Sequence, residues 1–229
     1  MREKNEVSNH LIKNLDRISP ENSIFNYKSG RKAFLSLGQG SINEWFETFL
    51  PNTRIILEPK IIGSIIGLQY INGELKKAIN KNSQDITESV RSLKEVPKSI
   101  PIKNRIEIQG VLYDNKETFN KKNQPDFIEI PNFKPQPKRL KFCAFKIFHC
   151  NINHFQSLQE LKHLNFEIPQ TQFTNFISDI EIYLQCWKEG KLFKSYPTNG
   201  IVLKINSRKL QKYLGENNLS IHWAYAINQ

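Results

Sequence analysis

The sequence predicts an α+β domain with mostly antiparallel sheets, and three observations carry that prediction. Apolar and polar residues alternate over several short runs, as in half-buried strands. Asn72-Gly73 sits between two such runs at hairpin spacing, with both residues tolerant of positive φ. Helical periods interrupt the strands irregularly, without the strand-helix-strand alternation of a parallel sheet.

Residues 1–32 carry few large apolar side chains and read as an N-terminal arm, with Leu11, Ile12 and Leu15 on one face of a short helix. Residues 33–229 form the domain. Ser41 and Glu44 make a capping box that opens a helix over 42–50, stopped by Pro51. Strands follow over 54–58, 64–71 and 74–79. Asp85 and Glu88 read as a second capping box ahead of Ile86, Val90 and Leu93, and 105–113 alternates as a strand. A short helix is expected over 115–122, then an exposed connection over 123–139, rich in Pro, Asn and Lys. The remainder reads as a strand (140–148), two helices (155–164 and 174–187, the second closed by Gly190), a strand (200–205), a helix (207–214, capped by Gly215) and a final strand (221–227).

Composition narrows the function classes. The chain has 229 residues, 38% of them hydrophobic, which suits one domain with an accessory segment. Lys and Arg number 33 against 22 Asp and Glu, a formal charge of +11 that favours a polyanionic partner such as nucleic acid. Lys134, Lys138, Arg139, Lys141, Arg208, Lys209 and Lys212 are candidates for a phosphate-contacting face, against a solvated basic surface as the plainer reading. No apolar run approaches the roughly 20 residues of a membrane helix, and the polar start lacks a leader pattern, so a cytoplasmic protein is expected. Cys143, Cys150 and Cys186 form no CxxC pair, which argues for reduced thiols over a disulfide framework or a zinc site.

Four local patterns carry candidate chemistry. Lys60, between Pro59 and Ile61-Ile62, has apolar neighbours that disfavour the ammonium form and favour a nucleophile; the plainer reading is a strand-end lysine in solvent. Glu107-Ile108-Gln109-Gly110 places a carboxylate on a strand beside a glycine that permits close approach. Asn199 to Lys204 is a turn feeding a strand in which Val202 and Lys204 point opposite Ile201 and Leu203. His222 to Ile227 is a strand with core or edge aromatics.

Taken in order, these segments resemble the adenylation domain of NAD-dependent DNA ligases, of the nucleotidyltransferase superfamily. Phe34-Leu35-Ser36-Leu37 is similar to Met-Leu-Ser-Leu, and Glu58-x-Lys60-x-x-Gly63 to Glu-x-Lys-x-Asp-Gly, with Tyr70-x-Asn72-Gly73 downstream. Asp85-Ile86-Thr87 is similar to Glu-Asp-Ile-Thr, and Glu107-Ile108-Gln109-Gly110 to Glu-Val-Arg-Gly. Asn199-Gly200-Ile201-Val202-Leu203-Lys204 resembles Asp-Gly-Val-Val-Ile-Lys, and Trp223-Ala224-Tyr225-Ala226 resembles Trp-Ala-Val-Ala. The resemblance implies antiparallel sheets flanked by helices around a nucleotide cleft, with Lys60 in the place of the lysine that takes AMP. It further implies Ser36, Leu37 and Glu58 on the adenine and ribose side, Glu107 at the ribose, Lys204 at the α-phosphate, and Lys81 where the family has an arginine. The cofactor it implies is NAD or ATP; no fixed metal site is expected, and Mg²⁺ would arrive with a nucleotide.

The departures matter as much. Ile62 stands where the family has the aspartate after its nucleophile, Asn199 replaces the aspartate of the later lysine motif, and Asn228 replaces the final lysine. The Arg-Asn-Ala-Ala segment, the N-terminal nicotinamide-binding subdomain and the oligonucleotide-binding barrel have no counterpart, so a complete nick-sealing cycle is not expected of this chain alone. Three missing charges, each worth about 10² to 10³ in rate, should leave little transfer chemistry. The expectation is a degenerate adenylation domain that binds adenine nucleotide, nucleic acid or both. Whether it is an enzyme is left open by these residues. One alternative is an active lysine adenylyltransferase working in DNA or RNA end joining with partner domains. A second is a protein-interaction module whose partner supplies those domains. Lys60 is the expected catalytic residue and Lys138, Arg139, Arg208 and Lys209 lead the nucleic-acid candidates.

Overall fold

The computed structural model describes residues 10–16, 23–25, 36–38, 41–114, 140–216 and 220–228, with no side-chain description for Ser36 and Gly38. The helix expected over 115–122, the connection over 123–139, and with it Lys134, Lys138 and Arg139, lie outside the described residues. The chain divides into two compact units: residues 1–34, 62–152 and 156–168, and residues 35–61, 153–155 and 169–229.

The first unit is built on an antiparallel sheet, in spatial order β4-β3-β5-β6. Its strands are β3 (Ser64–Ile71), β4 (Glu74–Asn80), β5 (Ile106–Asp114) and β6 (Leu140–Ile147). Asn72 and Gly73 turn β3 into β4 with φ of 54° and 83°, as their dipeptide predicts. Gly110 is required by close packing, since a Cβ there would lie 2.3 Å from the Phe142 ring. Ile66, Leu68, Tyr70, Ile108 and Phe142 form the core, covered by Leu158 and Leu161 of α3 (His154–His163). The short helix over 10–14 contributes the fully buried Leu11 to this core, with Ile12 and Leu15 packed beside it.

Helix α2 (Thr87–Arg91) corrects one expectation. Asp85 does not cap it; the cap position is Ile86, with no side-chain hydrogen bond. Asp85 Oδ1 instead accepts from the Thr87 amide at 2.9 Å and its hydroxyl at 2.6 Å, a local Asx turn. That arrangement wins because Thr87 Oγ1 also accepts from the Ala78 amide at 2.9 Å, tying the helix start to β4.

The second unit is a sheet of order β1-β9-β8-β2-β7. It comprises β1 (Ser36–Gly38), β2 (Ile55–Ile61), β7 (Gln172–Thr174), β8 (Thr198–Ile205) and β9 (Ser220–Asn228), all antiparallel except β1 beside β9. Ile55 and Leu57 of β2, Ile201, Leu203 and Ile205 of β8, and Trp223 of β9 alternate onto one face. There they pack on Trp45 of α1 (Ile42–Glu47) and Ile180 of α4 (Ile177–Lys188). Ser41 caps α1 as expected, accepting from the Glu44 amide at 3.4 Å, yet the helix stops at Glu47 rather than residue 50. Helix α4 starts at Ile177 rather than Thr174, because residues 172–174 pair with Leu57 to Ile55 as β7. Gly190 and Gly215 follow α4 and α5 (Arg208–Leu214) with φ of 69° each, the left-handed position that favours glycine. Cys143 and Cys150 are buried and Cys186 is half-buried. Among the described residues no helix is long and apolar enough to cross a membrane.

Candidate active site

The functional side chains of the second unit lie on the sheet face opposite its core. On β8 the inward set is Ile201, Leu203 and Ile205, which leaves Gly200, Val202 and Lys204 on the other side. On β2 the same alternation sets Glu58 apart from Ile55 and Leu57. Glu58 pairs with Val202 in register, so Lys204 is its diagonal neighbour. Their side chains meet: Lys204 Nζ donates to Glu58 Oε2 at 2.5 Å, with both groups buried. The other oxygen, Oε1, accepts from Nε2 of His154, the first residue of α3. Burial pushes the Glu58 carboxyl up, but the charges of Lys204 and His154 and their hydrogen bonds outweigh it and bring it down to about 2. Glu58 is therefore an ionised carboxylate held by two cation-forming partners.

Lys60 lies where the β2–β8 ladder shifts register. Pro59 pairs with Ile201 and Ile61 with Thr198, so Lys60 alone faces Asn199 and Gly200, a bulge on β8. The proline fits there because a bulge relaxes the demand for a ladder donor. Gly200 in turn pairs with Asn228 of β9. Lys60 reaches across the glycine, and its Nζ donates to Asn228 Oδ1 at 2.7 Å. A Cβ at Gly200 would lie 2.0 Å from the Ile227 carbonyl oxygen, so only glycine lets β8 and β9 approach this closely. Lys60 is half-buried, and that partial burial lowers its ammonium from the ordinary range. The lysine is thus nearer the neutral, nucleophilic form than a surface lysine, with a neutral amide as its partner.

The remaining predicted residues are described within their own units. Leu37 in β1 is half-buried and packs on the core of the second unit; of Ser36 only the backbone, paired with Ser220, is described. Lys81 follows β4 in the first unit on an exposed turn. Glu107, also in the first unit, is completely buried and presents no open carboxylate. Its Oε1 accepts from Ser23 Oγ at 2.5 Å, Arg105 Nη2 at 2.9 Å and Gln69 Nε2 at 3.1 Å, while Oε2 accepts from the Ile24 amide at 3.0 Å. On α5, Lys209 and Lys212 are exposed, whereas Arg208 is turned back, donating to Gln211 Oε1 at 3.3 Å. Sequence reasoning missed His154. No local spacing links it to a carboxylate 96 positions away, and its only signal is a histidine opening a helix.

Comparisons with known proteins bear on the family and the fold. DNA ligase of Mesoplasma florum is 26% identical over 201 residues, covering 76% of this chain and 30% of the relative. DNA ligase of Prochlorococcus marinus is 29% identical over 212 residues, covering 76% and 31%. The chain therefore spans about a third of the length of these relatives. Among solved structures, mycobacterial DNA ligase D complexed with ATP and MES aligns with a TM-score of 0.52 at 11% identity, covering 79% of this chain and 56% of that one. An archaeal ATP-dependent RNA ligase aligns at 0.51 and 12% identity, covering 81% and 44%. Both share the nucleotidyltransferase-type fold that the sequence predicts. The family model for the NAD-dependent DNA ligase adenylation domain matches residues 32–228, and the chain belongs to that family.

Proposed function

We propose that this chain is a ligase-type adenylation domain that retains an adenine-nucleotide pocket, has weakened transfer of AMP to Lys60, and works on nucleic acid. The observation that carries the reading is the hydrogen bond from Lys60 Nζ to Asn228 Oδ1 at 2.7 Å, where the family resemblance expects an ammonium. Transfer forms a bond from the neutral Nζ to the α-phosphorus; pyrophosphate or nicotinamide mononucleotide leaves, and Nζ gives up a proton. A second ammonium beside Lys60 would favour its neutral form and offset charge on the phosphate as it builds. An amide does neither. Removing one such preorganised group costs about 10² to 10³ in rate.

Binding survives this loss more easily than transfer does. Glu58 and Lys204 are held in place before any ligand arrives, and the small residues Ala224 and Ala226 of β9 lie beside Lys204 and Val202 in register. Pockets depend on such preformed shape and a few placed polar groups. Glu107 belongs to the first unit and is left out of the proposed pocket, which is built on the second. Mg²⁺ would enter on a nucleoside triphosphate.

A second reading, an active lysine adenylyltransferase, is favoured by the lowered ammonium of Lys60. Intact-mass spectrometry after incubation with ATP plus Mg²⁺, or with NAD, separates the two. The wild type should gain AMP on only a small fraction of molecules, Lys60→Ala on none, and Asn228→Lys at least about tenfold more than wild type. Stoichiometric AMP on the wild type, abolished in Lys60→Ala, overturns the weakened-transfer reading.

A further inference from the structure

Glu58 has two oxygens and a separate partner on each. Lys204 Nζ takes Oε2 from the neighbouring strand, and His154 Nε2 takes Oε1 from the start of α3. A carboxylate held at one oxygen can turn about its Cγ–Cδ bond; held at both, its plane is fixed. His154 is itself firmly seated. Its amide donates to the Asn206 carbonyl at 2.9 Å, the Phe155 amide to Asn206 Oδ1 at 3.0 Å, and the Arg208 amide to Asn153 Oδ1 at 3.1 Å. The Asn206 amide donates to the Arg54 carbonyl at 3.0 Å, two residues beyond Lys204. The first turn of α3 is thus joined to the end of the strand that carries Lys204.

We infer that His154 is a positioning residue: by holding Oε1 of Glu58 it fixes the carboxylate plane, and through it the place of Lys204 Nζ, the cation that meets the phosphate of an adenine nucleotide. The phosphate role of Lys204 rests on the nucleotide-binding reading above. The link from His154 to Lys204 does not, so it can be measured without a nucleotide.

Two readouts on the full chain test it, using wild type, His154→Leu, His154→Gln and His154→Asn. The first is acylation of Lys204 by an amine reagent, read by peptide mass spectrometry with no nucleotide present. The second is calorimetric binding of AMP and of adenosine, which differ only in the phosphate. In His154→Leu, Lys204 should label several-fold faster and AMP should bind about tenfold more weakly, while adenosine is unchanged within twofold. His154→Gln retains an N–H donor of similar reach and should restore both readouts; the Asn amide stops short of Oε1 and should behave like Leu, a second route if the Leu variant fails to fold. Unchanged Lys204 labelling, or parallel loss of AMP and adenosine binding, overturns the role of His154. If the wild type binds neither ligand while Lys204 labelling still responds to His154, the nucleotide reading falls and the positioning link stands.

Discussion

Replacing Glu58 with glutamine should change the acid stability of the second unit in a predictable window. The Glu58 carboxyl drops from an ordinary 4.5 to about 2 in the folded protein, since Lys204 and His154 more than offset the cost of burial. A group whose folded value is depressed contributes stability that is complete above about 4.5 and is lost as pH falls towards 2. At about 1.4 kcal/mol per pH unit, the contribution is about 3 kcal/mol, with little solvent screening to discount because the carboxylate is buried. The assay is urea unfolding at pH values from 6 down to 2.5, followed by tryptophan fluorescence. All three tryptophans, Trp45, Trp187 and Trp223, belong to the unit that contains Glu58, so the signal reports the right region. Wild type should lose stability steeply through this window, and Glu58→Gln should lose about 3 kcal/mol less across it. Asp85, also held low by its Thr87 hydrogen bonds, contributes in the same direction in both proteins and cancels in the comparison. At pH 7 the variant should be less stable by about 3 to 5 kcal/mol, because Lys204 is left buried without its carboxylate. Parallel acid profiles for the two proteins would refute the argument that the pair is charged and coupled to folding.

Three further outcomes follow from the geometry. Gly200→Ala places a Cβ 2.0 Å from the Ile227 carbonyl, so β8 and β9 must separate; urea midpoints should report a loss of about 1 to 3 kcal/mol, and a neutral result would mean the strands yield more freely than their pairing suggests. Lys60 should acylate with a lower pH midpoint than Lys191, because burial lowers the first while the hydrogen bond and charge of Glu189 raise the second; equal midpoints would remove the nucleophile argument. If the exposed lysines of α5 touch a nucleic-acid backbone, Lys209→Glu with Lys212→Glu should flatten the dependence of log binding constant on log salt by about 2, and an unchanged slope would place the phosphate contacts elsewhere.

Features whose cause is local were legible in the sequence. Asn72-Gly73 states its own turn, Ser41 its own cap, and Gly190 and Gly215 their own helix ends, because each depends on a few adjacent dihedrals. The alternation of β8 likewise separates Lys204 from its core neighbours before any partner is known. What escaped depends on distant segments. Strand β7 is three residues long and exists because Leu57 to Ile55 offer it an edge, and Asp85 forms an Asx turn because Thr87 is needed by Ala78. Glu107 is on the expected strand, but its hydrogen bond from Ser23, 84 positions away, could not be read from local spacing. His154 is the same case: only the fold brings it to Glu58.

The two faces of the second unit's sheet also answer to different demands. Core residues such as Trp223, Tyr225, Leu203 and Leu57 are needed for folding, and their loss would leave cavities costing about 2 to 5 kcal/mol. Asn228 lies at the exposed end of β9 and supports none of that packing. Under the proposed reading, an amide there in place of an ammonium leaves the sheet, the bulge at Lys60 and the Glu58–Lys204 pair intact while removing a charge from beside Lys60. Chemistry can therefore fall away at this position with no trace in stability. Thermal or urea unfolding of Asn228→Lys should match wild type within about 0.5 kcal/mol even as adenylation of Lys60 rises. If instead the added lysine destabilises the protein by more than 1 kcal/mol, through repulsion from the ammonium of Lys60, then Asn228 also serves the fold, and the proposed weakening of transfer would be its consequence.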